Sequence, residues 1–186
     1  MKKNLKIIMA LFLVTVIVTV QGSQKVEAYP TTYIMNITKY QQEKSNWCWA
    51  ATAKMIASFL GYQSITQSGI VGYIKGSTVN ETASQGEIRS AIQYAINSQF
   101  AVRTEGVLLH IKIQEYISNR RPLGLGVSNG SGMGHVVVVS GYGSGTVTII
   151  DPAANVATKS YTYNSLVNGV TSQYGSAKYT TTWTLN

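Results

Sequence analysis

Three side chains suited to covalent or proton-transfer chemistry, a cysteine, a histidine and an aspartate, are spaced in this sequence as a set with a glutamine amide. The 186 residues hold one cysteine, Cys48, two histidines, His110 and His135, and one aspartate, Asp151. Cys48 lies in Gln42-Glu-Lys-Ser-Asn-Trp-Cys-Trp-Ala-Ala51, just ahead of Thr52, Met55, Ile56, Phe59 and Leu60. Those five recur at i, i+3, i+4, i+7 and i+8, the spacing of one apolar helix face. The pattern predicts a helix with Cys48 in its first turn, Ser45 or Asn46 as N-cap and Gly61 just past its end. A first-turn cysteine faces unpaired backbone N–H groups and the positive end of the helix dipole, which favour the nucleophilic thiolate. Gln42 offers a side-chain amide donor just before the helix, where it could face the oxyanion of a carbonyl attacked by Cys48.

His135 stands in Gly132-Met-Gly-His-Val-Val-Val-Val-Ser-Gly-Tyr142, at the start of a strand that reads as buried. Asp151 ends the next apolar run, in Thr148-Ile-Ile-Asp-Pro-Ala153. A hairpin turning at 143–145 brings the two to one edge of a sheet. There a carboxylate can hold one ring nitrogen of His135 and leave the other for a thiol. Each residue also has a plainer reading: Cys48 as a small core residue, His135 as a satisfied core histidine, Asp151 as a turn residue before Pro152. His110 opens a helix with no motif around it and reads as a surface or boundary residue. Trp47, Trp49 and Tyr142 read equally as cleft lining or as core aromatics.

The segment around Cys48 resembles the active-site segment of papain-like cysteine peptidases, in which a Gln six residues before the nucleophile supplies part of the oxyanion hole. The Gly-His-aliphatic-Gly-Tyr run around His135 is similar to the segment that carries the general base in that family. The likeness is closest to short bacterial members with a Cys-His-Asp triad: effector-type peptidases with a Trp-Cys-Trp-Ala-Ala-like run, and domains that cleave bacteriocin leader peptides. It runs from about Tyr40 to Ala153, with its specific motifs at the two ends. It implies Cys48 as nucleophile, His135 as base, Asp151 in the place of the plant enzymes' Asn, and Gln42 in the oxyanion hole. It also implies a protein or peptide substrate.

The elements that must position these residues fall into two halves. A short helix is expected over 65–75, ending at Gly76, followed by a polar loop to 85. Ser84-Gln-Gly-Glu87 is a capping-box pattern ahead of Ile88, Ala91, Ile92, Ala95 and Ile96. Leu109, Ile113, Tyr116 and Ile117 mark a further helix, stopped by Arg120-Arg121-Pro122. Strands are expected over 123–127, 136–139, 147–150 and 176–185. Helices first and antiparallel strands after give an α+β chain. With the resemblance, this implies a papain-like fold in which the nucleophile helix of the N-terminal half packs on a C-terminal antiparallel sheet.

Residues 1–28 read as a secretory signal peptide. Lys2, Lys3 and Lys6 precede an apolar run over 7–20 and a small-residue pattern ending at Ala28. The expectation is one papain-like peptidase domain over 29–186, secreted from a bacterium, with no stable membrane insertion after cleavage. Residues 29–40 are too short for a pro-domain. Four of the 15 basic and one of the seven acidic side chains precede Tyr29, so the rest still carries a net charge of +5. That charge is scattered, which argues against a nucleic-acid groove. One cysteine allows no internal disulfide, and the Cys, His and Asp count offers no zinc-ligand spacing, so neither metal nor cofactor is expected. A monomer is expected. The alternatives are a cell-wall amidase of CHAP or NlpC type, a non-catalytic papain-like binding module, and an acyl transferase or deamidase using the same triad.

Overall fold

The computed structural model describes residues 29–130, 134–172 and 175–186. The expected signal peptide lies outside the described residues, as do 131–133 of the glycine-rich stretch before His135. Among the described residues, five helices and eight strands follow in the order β1 (Tyr33–Ile34), α1 (Cys48–Phe59), α2 (Gln67–Lys75), α3 (Gln85–Ala95), β2 (Val102–Glu105), α4 (His110–Ser118), β3 (Leu123–Ser128), β4 (Gly134–Gly143), β5 (Thr146–Ile150), β6 (Lys159–Thr162), α5 (Tyr163–Asn168), β7 (Val170–Ser172) and β8 (Gly175–Leu185). The sheet runs β2-β8-β3-β4-β5-β6, every pairing antiparallel. β1 joins β4 opposite Gly141 and Tyr142, beyond the end of β3. At that crossing a Cβ on Gly141 would lie 2.8 Å from the Tyr33 carbonyl, so only glycine lets β1 approach.

Local sequence accounts for most helix ends. α3 carries the full capping box, with Ser84 and Glu87 each bonding the other's backbone N–H. α2 is capped by Thr66 and stops at Gly76, whose φ of 75° is left-handed. α1 ends in a Schellman motif: Tyr62 N–H donates to Ala57 O at 2.9 Å and Gly61 N–H to Ser58 O at 3.1 Å, with Gly61 at φ 101°. β1, β2, β6, β7 and α5 carry too little periodicity to be read from sequence, being two to six residues long and mostly half-exposed.

α1 is the centre of the packing. Ala50, Ala51, Ala53, Met55, Ile56 and Ala57 are buried against α2, α3 and the β3–β4 part of the sheet. The run of alanines lets the helix lie close to β4. Thr52 sits among them fully buried, and its hydroxyl donates to Val136 O at 3.1 Å, tying the helix to β4, the strand that carries His135. Thr52→Val keeps the volume but removes this donor. Unfolding stability in urea is expected to fall by about 1–3 kcal/mol, and an unchanged midpoint would show that the hydroxyl carries no weight.

Candidate active site

Cys48 is the first residue of α1 and is half-buried. The expected N-caps do not cap: Trp47 holds that position, with no side-chain bond to the helix. Ser45 and Asn46 are engaged elsewhere. Asn46 donates from Nδ2 to Asn80 O at 2.9 Å, its backbone N–H donates to Asn80 Oδ1, and Asn80 Nδ2 donates to Ser45 Oγ. These bonds pin the turn before Cys48 to the 76–84 loop. The side-chain cap is thereby missing from the end of the helix that carries the thiol.

The same loop is held by the two tryptophans. Trp47 donates from its indole to Val79 O at 2.8 Å and Trp49 to Glu81 O at 3.1 Å, and both rings are buried. Tyr142 is buried too, its hydroxyl 2.7 Å from Ser118 Oγ. All three belong to the core and its loop anchors; none lines an open cleft. His110 is the boundary residue expected, half-buried with Nε2 3.0 Å from Thr146 O.

His135 and Asp151 meet as the hairpin implies. His135 Nε2 donates to Asp151 Oδ1 at 2.7 Å, with the two side chains 11% and 17% exposed. The contact depends on a slip in strand pairing. Next to the turn, Gly141, Tyr142 and Gly143 face Thr148, Val147 and Thr146, but further on Val139 faces Ile149 and Val138 faces Ile150. Ser140 is the extra residue of a bulge. One residue beyond Ile150, this register sets Asp151 beside Val137, on the same face as His135. Without the bulge Asp151 would oppose Val138 and point to the other face. The Asp151 carboxylate also accepts from Ala153 N–H at 2.8 Å on the same oxygen, so Asp151 is at once a turn residue and a hydrogen-bond partner of His135.

Cys48 lies within hydrogen-bonding reach of His135. With Nε2 on Asp151, Nδ1 is the ring nitrogen left to exchange a proton with the thiol. Burial alone would lower the pKa of His135, but the bond from Asp151 and the bond and charge of Cys48 overcome it and raise it to about 9. Burial pushes Asp151 the other way, upward, yet its bond to His135 and the nearby positive charges leave it below the ordinary carboxylate value. The arrangement favours an imidazolium at His135 beside a carboxylate at Asp151.

Gln42 is set beside this group by backbone bonds. Its N–H donates to Pro152 O at 2.8 Å. Buried Gln67 brackets it, donating to Gln41 O at 2.7 Å and accepting from Glu43 N–H at 3.1 Å. The Gln42 amide departs from the expectation. Nε2 donates to Lys44 O and Ser45 O at 3.0 and 2.8 Å, while Oε1 is buried without a partner among the described residues. Both amide hydrogens are therefore engaged within its own turn. Sequence reading missed Gln67 and Asn80, which carry no pattern. Thr52 did carry a signal: a hydroxyl on an apolar face must find an acceptor. Among the described residues no three His, Cys, Asp or Glu side chains gather to hold a metal.

A group whose pKa is raised on folding binds its proton more tightly in the folded chain. His135 thus contributes stability that is complete below about 6.5 and is lost as pH rises through about 9. Urea unfolding across that window is expected to show falling stability, and Asp151→Asn to flatten the fall. An identical slope in the variant would contradict the coupling.

The family profile described as papain-like cysteine protease AvrRpt2 matches residues 31–168. No curated protein sequence matches the chain. A crystal structure described as a C39-like peptidase from Bacillus anthracis is similar in fold, with a TM-score of 0.58 at 11% identity, over 84% of this chain and 98% of that one. The peptidase domain of Streptococcus ComA, a bifunctional ABC transporter involved in quorum sensing, gives 0.55 at 16% identity, over 79% and 97%. The α+β fold, with the Cys48 helix packed on the antiparallel sheet, is the papain-like fold of these peptidases. The chain belongs to the papain-like cysteine protease family.

Proposed function

We propose that the protein is a secreted bacterial cysteine peptidase that hydrolyses peptide bonds through a thioester intermediate. The observation that carries this reading is Cys48 at the uncapped start of α1, within reach of a His135 whose other nitrogen is held by Asp151. Cys48 thiolate attacks the carbonyl carbon of the scissile bond, and the carbonyl π electrons move to oxygen. The Cys48 backbone N–H faces the resulting oxyanion. Gln42 adds a donor once substrate draws one of its amide hydrogens from Lys44 O or Ser45 O. His135 gives its proton to the leaving nitrogen as the C–N bond breaks and the thioester forms. It then takes a proton from water, which attacks the thioester and releases the acid and the thiolate. Asp151 holds the ring in orientation throughout.

Residues 29–186 form the peptidase domain in this reading, acting as a monomer on a protein or peptide outside the cell after cleavage near Ala28. Nucleic acid is not a partner, and neither metal nor cofactor takes part.

Cys48→Ala is expected to abolish peptide hydrolysis with the fold retained. His135→Ala is expected to lower kcat/KM by about 10²–10⁴, and Asp151→Ala by less. An epoxide-type inhibitor of cysteine peptidases should add once to the wild type, read by intact mass, and scarcely to His135→Ala. Equal hydrolysis by wild type and Cys48→Ala would refute the proposal. Cys48-dependent release from peptidoglycan but not from peptides would move the substrate to the cell wall.

A further inference from the structure

We propose that Lys39 is a positioning residue for the Cys48–His135–Asp151 set, its ammonium fastening the loop that carries Asp151 and keeping that carboxylate, as an anion, aimed at His135. The inference rests on the peptidase reading. Lys39 is half-buried, nine residues before the cysteine and 112 before the aspartate. Its Nζ donates to Ala153 O at 2.9 Å and to Val156 O at 2.5 Å. Between these acceptors the loop turns through Asn155 at φ 60°, a left-handed backbone that asparagine adopts more readily than most L residues. Three residues after Lys39, Gln42 N–H donates to Pro152 O, so one short segment grips the loop at 152, 153 and 156.

The grip sits at the point where Asp151 is defined. Ala153 gives its N–H to the Asp151 carboxylate and its carbonyl to Lys39. The ammonium thus reaches Asp151 through a single residue, and its charge helps keep Asp151 ionised. A neutral donor would hold the carbonyls but leave out that charge. The groups acting on Asp151 are His135 from β4, with Cys48 of α1 behind it, and Lys39 from the segment before α1. Glu43 and Lys44, further along that segment, are exposed on the rim of a cavity of about 220 Å³ shared with Ala153 and Ala154.

The test uses the two histidine rings as reporters, with His110→Gln assigning the His135 signals by NMR. His135 should show its own titration and a second inflection in the acid range, where Asp151 takes up a proton. Lys39→Met, and Lys39→Gln as the variant that keeps a donor, should move that inflection up by roughly half a unit or more. Lys39→Arg should leave it in place. The acid limb of kcat/KM should move with it in Met and Gln and be restored in Arg. An unmoved inflection in folded Lys39→Gln, or equal movement in Arg and Gln, overturns the proposal. If the wild type shows no Cys48-dependent hydrolysis while the inflection still follows Lys39, the peptidase reading fails and the coupling of Lys39 to Asp151 stands.

Discussion

A slip of one residue between β4 and β5 decides which way Asp151 faces. Side chains alternate along a strand, so a pairing offset of one moves a residue from one face of the sheet to the other. The bulge at Ser140 supplies that offset. β1 braces it, since Met35 N–H donates to Ser140 O at 2.8 Å. β1 in turn can reach β4 only because residue 141 is glycine. A two-residue edge strand far from the thiol thus bears on the site: it holds the bulge, the bulge sets the register, and the register puts carboxylate beside imidazole.

Cys48 is placed by a different kind of constraint. α1 is seated by its alanine face and by the Thr52 bond to Val136, on the very strand that presents His135. The turn ahead of it is clamped by Asn46, Asn80 and the two indoles, and by Gln67 around Gln42. These side chains satisfy backbone groups of segments with no regular structure, groups that would otherwise be left unpaired where they are buried. Serving the loop, Ser45 and Asn46 do not serve the helix, whose first turn is left without a side-chain cap.

The sequence was legible where chemistry imposes a local pattern. The α1 face, the α3 capping box, Gly61 and Gly76 past their helices and the β4–β5 hairpin all follow from spacing and turn residues. So do the partners His135 and Asp151, because a histidine opening one arm of a hairpin and an aspartate closing the other must come to one edge. What could not be read depends on contacts across the fold. The Ser140 bulge has no sequence mark, β1 and β6 owe their existence to neighbours, and Lys39 and Gln67 look like any polar residue. The N-cap was misjudged for the same reason: local propensity favours Ser45 or Asn46, but a loop 35 residues away engages both. The Gln42 amide, read as a free donor, is taken up by carbonyls that only the folded turn brings near.

The bonds of Lys39 and Gln42 to the 152–156 loop, and of Thr52 to Val136, each join parts of the chain more than 80 residues apart. Contacts of such sequence separation are slow to form, because a long loop must be closed before they repay its entropy. Cys48 is synthesised early and His135 and Asp151 late, so a growing chain does not hold the three side chains together. The three come together only once the last strands find the first helix.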